Sequence, residues 1–382
     1  MRISGDPLKR RRLAGLAAIA AIALVGGAAL GAAVGGDEKS SPPRSDRQAA
    51  AERATANLTL EQQVGQLLML TFPGPVLPDS VRAALRERRA AGAILFGGNV
   101  ADAAQVRRLT GQIQDAAGRS GLVATDQEGG EVRILPFAAP GEAQSAQATP
   151  SVAGEAARAA ARDLRELGVN VNLAPVADVG APGAALGGRF YPGDPAQVAA
   201  AVEAATREYG RGRVGATAKH FPGFGSAEAN TDDQPVTIEN PRADLERDLE
   251  PFRAAIAART PLVMVSHALY PALDRRRIAS QSPAVIGGLL RDRLGYEGVV
   301  VTDSLEADAV ISRSSLATAA QRSIAAGADL LLLTGSGSYG QVHRSLVERA
   351  RRSKAFRGRV GEALARVNAL KRRLDLAEPA GG

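Results

Sequence analysis

The stretch Gly298-Val-Val-Val-Thr-Asp-Ser-Leu305 contains three consecutive valines and then turns polar. β-Branched residues are favoured in strands, and a short apolar run bounded by glycine is typical of a strand buried on both faces. Such strands occur in parallel sheets that are covered by helices. We therefore predict a strand over Gly298–Thr302, with Asp303 at its carboxyl end.

Seven further runs have the same form, and Ala-, Arg- and Leu-rich stretches of helical character lie between them. They are Leu67–Phe72, Ala91–Phe96, Gly121–Thr125, Val169–Pro175, Gly215–His220, Leu262–Ser266 and Ala328–Thr334. Strands that alternate with helices form a parallel sheet, and eight repeats favour closure into a barrel. An open doubly wound sheet is the competing fold, but no phosphate-binding glycine motif follows an early strand. The predicted fold class is α/β, a (β/α)8 TIM barrel forming a single catalytic domain.

Polar side chains follow five of these strands. They are Asp126, Asp178, Lys219 with His220, Ser266 with His267, and Asp303. In (β/α)8 barrels the carboxyl ends of the strands meet at one rim, and the active site lies there. A single Asp in such a place is more often structural than catalytic, but polar groups from five strands at one rim favour a catalytic site.

The composition excludes several classes of protein. The 382 residues contain no cysteine, which excludes disulfides, thiolate metal sites and a cysteine nucleophile. The net charge of +7 comes from the two ends, since residues 1–12 and 342–382 are strongly basic and the rest is acidic. No aromatic residues are interleaved with these basic residues, so we expect no nucleic acid partner and interpret the C-terminal charges as the solvated face of a helix. No cluster of His and carboxylates has metal-ligand spacing, so we predict no metal and no cofactor.

The N-terminus has the form of an export segment. Lys9-Arg-Arg-Arg12 is followed by 24 residues without a charge, from Leu13 to Gly36. A positive flank before an apolar run is typical of a signal peptide or a signal anchor. We expect one of these two at residues 1–36, a linker at residues 37–56 and the barrel at residues 57–382. The protein is then exported, extracellular or periplasmic, and either released or anchored to the cytoplasmic membrane by residues 13–36.

Six segments together resemble glycoside hydrolase family 3, specifically its single-domain branch of β-N-acetylhexosaminidases. The segments are Thr125-Asp-Gln-Glu-Gly-Gly130, Asn172-Leu-Ala-Pro-Val-Ala-Asp178, Gly188-Arg-Phe-Tyr-Pro-Gly-Asp-Pro195, Lys219-His-Phe-Pro-Gly-Phe-Gly225, Val263-Met-Val-Ser-His267 and Val301-Thr-Asp-Ser-Leu305. They occur in family order, from about Leu60 to the C-terminus. The resemblance implies a retaining mechanism with a covalent glycosyl-enzyme intermediate, which needs an ionised carboxylate and a proton donor.

The resemblance also implies roles for individual residues. Asp303 takes the position of the nucleophile; a helix cap is its alternative role, but Ser304 could serve equally well as the cap. Four residues match positions that bind sugar hydroxyls in the family: Asp126, Arg189, Lys219 and His220. Asp178 either contacts the substrate or orients Lys219 or Arg189. His267 either contacts the substrate or supports residues that do.

The loop after Lys219-His-Phe-Pro-Gly-Phe-Gly225 departs from the family. In the single-domain branch this loop carries Asp-Ser-His, whose Asp–His pair is the acid/base, but the same spacing here gives Asn230-Thr-Asp232. One interpretation is that Asp232, or its neighbours Asp233 and Glu228, acts as a carboxylic acid, since neighbouring carboxylates raise one pKa. A second is a site that binds sugar with slow turnover or none. A third is a donor from elsewhere in the chain or from a partner chain.

A smaller departure follows Glu128. The family commonly has Glu-Gly-Gly-Arg-Val-x-Arg-Leu, whereas this chain has Glu128-Gly-Gly-Glu-Val-Arg-Ile-Leu135. Glu131 reverses the charge of the first Arg, and the second is displaced by one residue to Arg133. Because a shift of one residue re-aims a side chain, the family's Arg contact is not carried over to Arg133, and an altered substrate preference is an open alternative.

These observations predict a retaining glycoside hydrolase that cleaves terminal β-linked sugars. The branch resembled implies β-N-acetylglucosaminides, such as those of peptidoglycan fragments, and β-glucosidase or β-xylosidase specificity is the alternative. The alternative of a different class is a catalytically weak or inactive sugar-binding barrel. We expect a monomer whose partner is its carbohydrate substrate and which contacts a membrane only through the N-terminal segment.

Overall fold

The computed structural model describes residues 56–335 and 337–377, together with the isolated positions 49 and 53. The predicted export segment at residues 1–36 and most of the predicted linker at residues 37–56 therefore lie outside the described residues. No helix in the described part is long and apolar enough to span a bilayer.

Eight parallel strands close into a barrel in which each strand pairs with its neighbours along the chain and the last pairs with the first. They are β1 (Leu68–Leu70), β2 (Gly92–Leu95), β3 (Leu122–Thr125), β4 (Val171–Asn172), β5 (Gly215–Phe221), β6 (Leu262–Val265), β7 (Val299–Ser304) and β8 (Leu330–Leu333). The prediction of a (β/α)8 barrel is confirmed, and every predicted strand overlaps one of these eight.

The strand interiors explain why the sequence shows continuous apolar runs. Every residue of the barrel strands is buried except the last two of β7, Asp303 and Ser304, which are partly exposed. β7 also extends two residues beyond the predicted end at Thr302, and its pairing with β8 shifts register between Val301 and Ser304. Irregular pairing of this kind re-aims side chains at a barrel rim. It occurs here at the predicted nucleophile.

Helices cover the outside of the barrel. They are α1 (Leu60–Gly65), α2 (Asp79–Arg86), α3 (Ala103–Ala116), α4 (Pro150–Glu166), α5 (Pro195–Arg211), α6 (Arg242–Asp248), α7 (Glu250–Ala257), a π-helix (Ala284–Arg293), α8 (Asp308–Ile311), α9 (Leu316–Ala326), α10 (Ser338–Arg352) and α11 (Lys354–Arg373). Their starts follow from the sequence, because α4 and α5 each begin at a proline that follows a side-chain cap, Thr149 and Asp194.

The last helix, α11, covers the base of the barrel, the end at which the strands begin. The ammonium of Lys371 donates a hydrogen bond of 2.6 Å to Oε1 of Gln66, just before β1. Just beyond α11, the backbone nitrogen of Ala377 donates to the carbonyl oxygen of Arg119, just before β3, at 3.1 Å. Substrate access is therefore confined to the opposite end, the rim.

Two antiparallel hairpins, which sequence analysis did not predict, stand at the rim. One pairs Gln127–Gly129 with Val132–Arg133 after β3, and the other pairs Leu269–Tyr270 with Asp274–Ile278 after β6. The first depends on Gly129, whose φ is 100° and where an added Cβ would lie 2.1 Å from the carbonyl oxygen of Glu142. This glycine allows the hairpin to fold tightly over the rim.

Candidate active site

A cavity of about 540 Å³ opens at the rim of the barrel. Its charged and polar lining contains six of the residues predicted from sequence: Asp126, Arg189, Lys219, His220, Asp232 and Asp303. Apolar side chains form much of the remaining wall, including Phe96, Ile134, Leu173, Leu186, Phe224 and Met264. A pocket of this size with a few convergent polar groups suits a small polar ligand such as one or two sugar rings.

Two cations and two carboxylates form an ion-pair cluster on one side of the cavity. The ammonium of Lys219 lies 2.6 Å from Oδ1 of Asp126 and 2.7 Å from Oε1 of Glu128. The guanidinium of Arg189 donates to both carboxylate oxygens of Glu128, at 2.9 and 2.7 Å. Glu128 therefore fixes both cations at once, with a two-point contact to the arginine.

Charge balance keeps this cluster ionised although it is buried. Burial raises the pKa of Glu128, but the charges and hydrogen bonds of Lys219 and Arg189 lower it to about 2. Burial lowers the pKa of Lys219, but Asp126 and Glu128 raise it above its usual value. The cavity thus presents fixed charges that can hold sugar hydroxyls without reorganisation.

Glu128 is the site residue that sequence analysis missed, since it was quoted within a motif but given no role. It belongs to the rim hairpin and lies two residues after Asp126. Side chains two apart on extended chain point to the same side. That spacing was the available signal, but only the fold shows that both carboxylates meet Lys219.

Asp178 lies behind His220 and does not line the cavity. Its Oδ2 is 2.7 Å from Nδ1 of His220, and its Oδ1 accepts hydrogen bonds from the backbone nitrogens of His220 at 3.0 Å and Phe224 at 2.7 Å. The carboxylate is fully buried. In this structure Asp178 therefore orients His220, rather than Lys219 or Arg189 as the sequence suggested.

Asp303 stands at the carboxyl end of β7 and faces the cavity. Its Oδ1 accepts a hydrogen bond of 2.8 Å from the backbone nitrogen of Ser304. Burial raises its pKa, but the neighbouring imidazoles of His220 and His267 and the ammonium of Lys219 lower the pKa below the usual value. An ionised carboxylate is what nucleophilic attack at an anomeric carbon requires.

His267 is fully buried and supports the end of β7 from below. Its Nε2 lies 2.8 Å from the carbonyl oxygen of Ser304, and its Nδ1 lies 2.7 Å from the hydroxyl of Ser280. Burial lowers the pKa of His267 below its usual value, although the charge of Asp303 and the carbonyl oxygen of Ser304 raise it in part. A neutral ring with the proton on Nε2 donates to the carbonyl and accepts from the serine, which matches the supporting role left open by the sequence.

The loop that replaces the family's Asp-Ser-His runs along the mouth of the cavity beside the nucleophile. The backbone nitrogens of Asp308 and Ala309 donate to the carbonyl oxygens of Asp232 and Thr231, each at 3.1 Å, which ties the loop to α8. All three side chains are exposed, but only that of Asp232 lines the cavity. Of the three carboxylates considered from the sequence, the structure brings only Asp232 into the site.

The electrostatic environment of Asp232 differs from that of Asp303. Loss of hydration and the negative charge of Asp303 raise the pKa of Asp232 above its usual value, although the side-chain hydrogen bond of Asn230 lowers it in part. The side chain of Asn230 donates to Oδ2 of Asp232 at 3.3 Å. One carboxylate with a lowered pKa and one with a raised pKa is the division that acid-assisted glycoside cleavage uses.

The hairpin after β3 explains the second departure from the family sequence. Arg133 turns away from the cavity, and its Nε donates to the carbonyl oxygen of Ala138 at 3.1 Å. Ile134, which occupies the position of the family's second Arg, lines the cavity instead. This geometry gives no ground for carrying the family's Arg contact over to Arg133.

No group of three or more His, Asp or Glu side chains in the described part of the chain is arranged to hold a metal ion. Asp126, Glu128 and Asp178 instead contact Lys219, Arg189 and His220.

The family model for the glycosyl hydrolase family 3 N-terminal domain matches residues 59–370. The chain belongs to glycosyl hydrolase family 3. A β-hexosaminidase of Xanthomonas oryzae pv. oryzae is 34% identical over 278 residues, which cover 70% of this chain and 83% of that protein. An uncharacterised secreted glycosyl hydrolase of Arthroderma benhamiae is 33% identical over 336 residues, 83% of this chain and 94% of that protein.

A solved structure is similar as well. The family 3 β-N-acetylglucosaminidase of a Paenibacillus species superposes with a TM-score of 0.79 at 37% identity, over 84% of this chain. The present chain spans 64% of that longer protein. The predicted family, the barrel and the assignment to the glycosidases are confirmed, while the roles of individual site residues stay predictions.

Proposed function

We propose that this family 3 glycosidase hydrolyses terminal β-N-acetylglucosaminides with retention of configuration, using Asp303 as nucleophile and Asp232 as acid/base. The observation that carries the proposal is the pairing of an ionised Asp303 with an Asp232 of raised pKa at one cavity. Similarity to proteins named β-hexosaminidase and β-N-acetylglucosaminidase supports the choice of sugar.

The reaction proceeds in two steps. In the first, Asp303 attacks the anomeric carbon, the glycosidic bond breaks, and Asp232 gives its proton to the leaving oxygen. In the second, Asp232 takes a proton from water, the water oxygen bonds to the anomeric carbon, and Asp303 leaves as a carboxylate. Asp232 thereby replaces the family's Asp–His pair with a single carboxyl group.

The ion-pair cluster holds the terminal sugar during these steps. Sugar hydroxyl groups bind to Asp126, Lys219 and Arg189. A further hydroxyl binds to His220. Asp178 and His267 do not touch the sugar in this proposal: Asp178 keeps the His220 ring in place, and His267 holds the main chain beside Asp303.

Trapping the intermediate tests the nucleophile. A 5-fluoro N-acetylglucosaminyl fluoride should inactivate the protein, and peptide mass spectrometry should find one sugar on the peptide that contains Asp303. Parallel assays with aryl β-N-acetylglucosaminide, β-glucoside and β-xyloside rank the substrates. A folded protein that binds N-acetylglucosamine but neither turns over nor becomes labelled would establish the sugar-binding barrel instead.

Replacing Asp232 tests the acid/base. Because activity needs Asp303 ionised and Asp232 protonated, kcat/KM of the wild type should fall both below the lowered pKa and above the raised one. Asp232→Asn should abolish the fall on the alkaline side, which measurement of kcat/KM against pH will show. The substitution should slow the hydrolysis of disaccharides by about 10² to 10⁴-fold. The first step with activated aryl substrates should slow far less.

Asp233→Asn is the matched control, because Asp233 is the adjacent carboxylate and its side chain does not line the cavity. Its pH profile and its rates on both substrate types should resemble those of the wild type. If the Asp233 variant loses the alkaline fall while the Asp232 variant keeps it, the acid is Asp233. If both substrate types slow equally in Asp232→Asn, that residue is not the acid.

We propose further that the protein is exported. The basic cluster Lys9-Arg-Arg-Arg12 before the uncharged run Leu13–Gly36 supports export, as does similarity to a glycosyl hydrolase described as secreted. Fractionation of the producing cell, with sequencing of the N-terminus of the recovered protein, separates cleavage from anchoring. Recovery from the cytosol with an intact N-terminus would contradict export.

A further inference from the structure

The base of the barrel carries an unusual set of arginines. Four helices of the barrel are followed, just before the next strand, by an arginine with left-handed backbone: Arg88, Arg119, Arg213 and Arg259, with φ between 56° and 64°. Three equivalent connections use glycine instead, at Gly168, Gly295 and Gly327. The left-handed conformation is costly for a residue with a Cβ and almost free for glycine. We call these four residues the basal arginines.

The helix that crosses the base adds to this charge. The inner face of α11 is apolar, with Val360, Leu364 and Val367 buried. Its outer face exposes basic side chains at Lys354, Arg357, Arg372 and Arg373. Because the apolar face of α11 is packed on the barrel, only its basic face is available to a partner.

Acidic partners balance only part of this charge. Arg119 pairs with Asp115 at 2.8 Å, and Arg213 pairs with Asp375. Residues 342–377 contain eleven Lys or Arg and three acidic residues. From outside this stretch, Glu61 pairs with Arg351, and Asp329 pairs with Arg359 and Arg366. The helix dipole stabilises a cation near the carboxyl end of a helix. An arginine with helical backbone in the last turn has the same stabilisation, so the dipole does not explain the left-handed arginines.

The chain also enters the barrel domain at the base. The side chain of Gln66, next to α1, donates to the carbonyl oxygen of Arg88 at 2.9 Å, and Glu61 in α1 pairs with Arg351 at the end of α10. The sequence that precedes α1 leads back to the uncharged run Leu13–Gly36.

We propose that the base of the barrel, formed by α11 and the four basal arginines, docks on the phosphate headgroups of an anionic lipid bilayer. Docking in this way turns the rim with its cavity away from the bilayer and toward soluble or wall-bound substrate. The proposal differs from the expectation that only the N-terminal segment contacts a membrane, and it does not depend on the identity of the sugar.

Vesicle binding of the full chain tests the surface. The apolar N-terminal run binds all vesicles, and the basic cluster Lys9-Arg-Arg-Arg12 adds the same preference for anionic lipid to every variant. The informative quantity is therefore the ratio of affinities for phosphatidylglycerol-rich vesicles and pure phosphatidylcholine vesicles, compared between the wild type and the variants. That ratio should be at least about tenfold at 0.1 M NaCl and should approach one at 0.5 M NaCl, because salt screens exposed charges. A ratio near one at low salt would overturn the proposal.

A fourfold variant tests the arginines themselves. Arg88→Gly, Arg119→Gly, Arg213→Gly and Arg259→Gly together keep a backbone that glycine adopts freely, so glycosidase activity should persist. The preference for phosphatidylglycerol should fall by about tenfold or more. The control removes the same charge from exposed residues away from the base: Arg107→Gln, Arg108→Gln, Arg158→Gln and Arg247→Gln. An equal fall in the control would mean that net charge, not the base, attracts the vesicles.

Orientation can be measured directly because the chain contains no cysteine. Ala257→Cys places a fluorophore at the end of α7 on the base, and Ala272→Cys places one in the rim hairpin; both positions are exposed. Nitroxide headgroup lipids should quench the label at position 257 and leave that at position 272 bright. Equal quenching would overturn the docking geometry. Affinity for duplex DNA that matches the affinity for phosphatidylglycerol vesicles would replace the lipid assignment with a general attraction to polyanions.

Discussion

Two buried lysines at opposite ends of the barrel have pKa values that are shifted in opposite directions. At the rim, Lys219 lies between Asp126 and Glu128, at 2.6 and 2.7 Å, and its pKa is raised. At the base, Lys371 donates to the neutral amide oxygen of Gln66, and burial lowers its pKa to about 7. Burial disfavours the charged ammonium at both sites. The carboxylates beside Lys219 reverse this effect on its pKa, whereas Lys371 contacts a neutral amide.

The two ends of the barrel therefore differ in how they accommodate a buried lysine. The rim retains ionised groups under the cavity, where fixed charges can hold a polar ligand. The base uses the long side chain of Lys371 as packing beneath β1, where its charge has no partner of opposite sign in the described structure. The three predictions that follow test this contrast, beginning with the largest expected effect.

Glu128→Gln should remove the carboxylate that joins the two rim cations. Breaking a buried ion pair leaves an uncompensated charge, so the free energy of unfolding should fall by about 3 kcal/mol. Loss of the fixed positions of Lys219 and Arg189 should also lower kcat/KM by about 10²-fold. Chemical denaturation and steady-state kinetics measure the two effects.

Glu131→Gln is the control for this change, because Glu131 lies three residues further along the same hairpin segment and is exposed. Its stability and kinetics should stay close to those of the wild type. If Glu128→Gln behaves in the same way, the rim cluster does not organise the site.

Lys371→Met should stabilise the protein at low pH. The folded-state pKa of about 7 lies below the unfolded value of 10.5, so the unfolded state binds more protons between these pH values. The wild type should therefore become more stable as pH rises from about 7 to 10.5, and the variant should lack this rise. At pH 6 the variant should be more stable by about 3 kcal/mol, measured by urea denaturation.

Lys354→Met serves as the comparison, because Lys354 is exposed in the same helix. It should leave the pH dependence of stability unchanged, and both variants should retain glycosidase activity. A wild type whose stability does not rise between pH 7 and 10.5 would show that Lys371 stays charged and that the two ends do not differ as described.

Asp178→Asn should have the smallest effect of the three. The amide keeps an oxygen for the backbone nitrogens of His220 and Phe224 but loses the carboxylate that faces Nδ1 of His220. We expect kcat/KM to fall by about tenfold, chiefly through KM, with little change in stability. A fall confined to kcat would indicate that His220 acts in the chemical step instead of binding the sugar.

The sequence by itself determined the barrel and most of its rim. Continuous apolar runs such as that before Asp303 occur because both faces of a barrel strand are buried, so their number and order predicted all eight strands correctly. The polar residues at the ends of five of these runs marked the rim for the same reason. Lys219 and Asp126 were found in this way although 93 residues separate them.

Only the tertiary structure decided which of these residues work together. Glu128 and Lys371 each look ordinary in the sequence, because a pKa depends on the neighbours that folding brings within a few ångströms. The same reason placed Asp178 behind His220 and brought Asp232, but neither Asp233 nor Glu228, to the cavity. The order of the strands determines that their carboxyl ends meet at one rim. The distances between side chains from different strands are set only when the barrel closes.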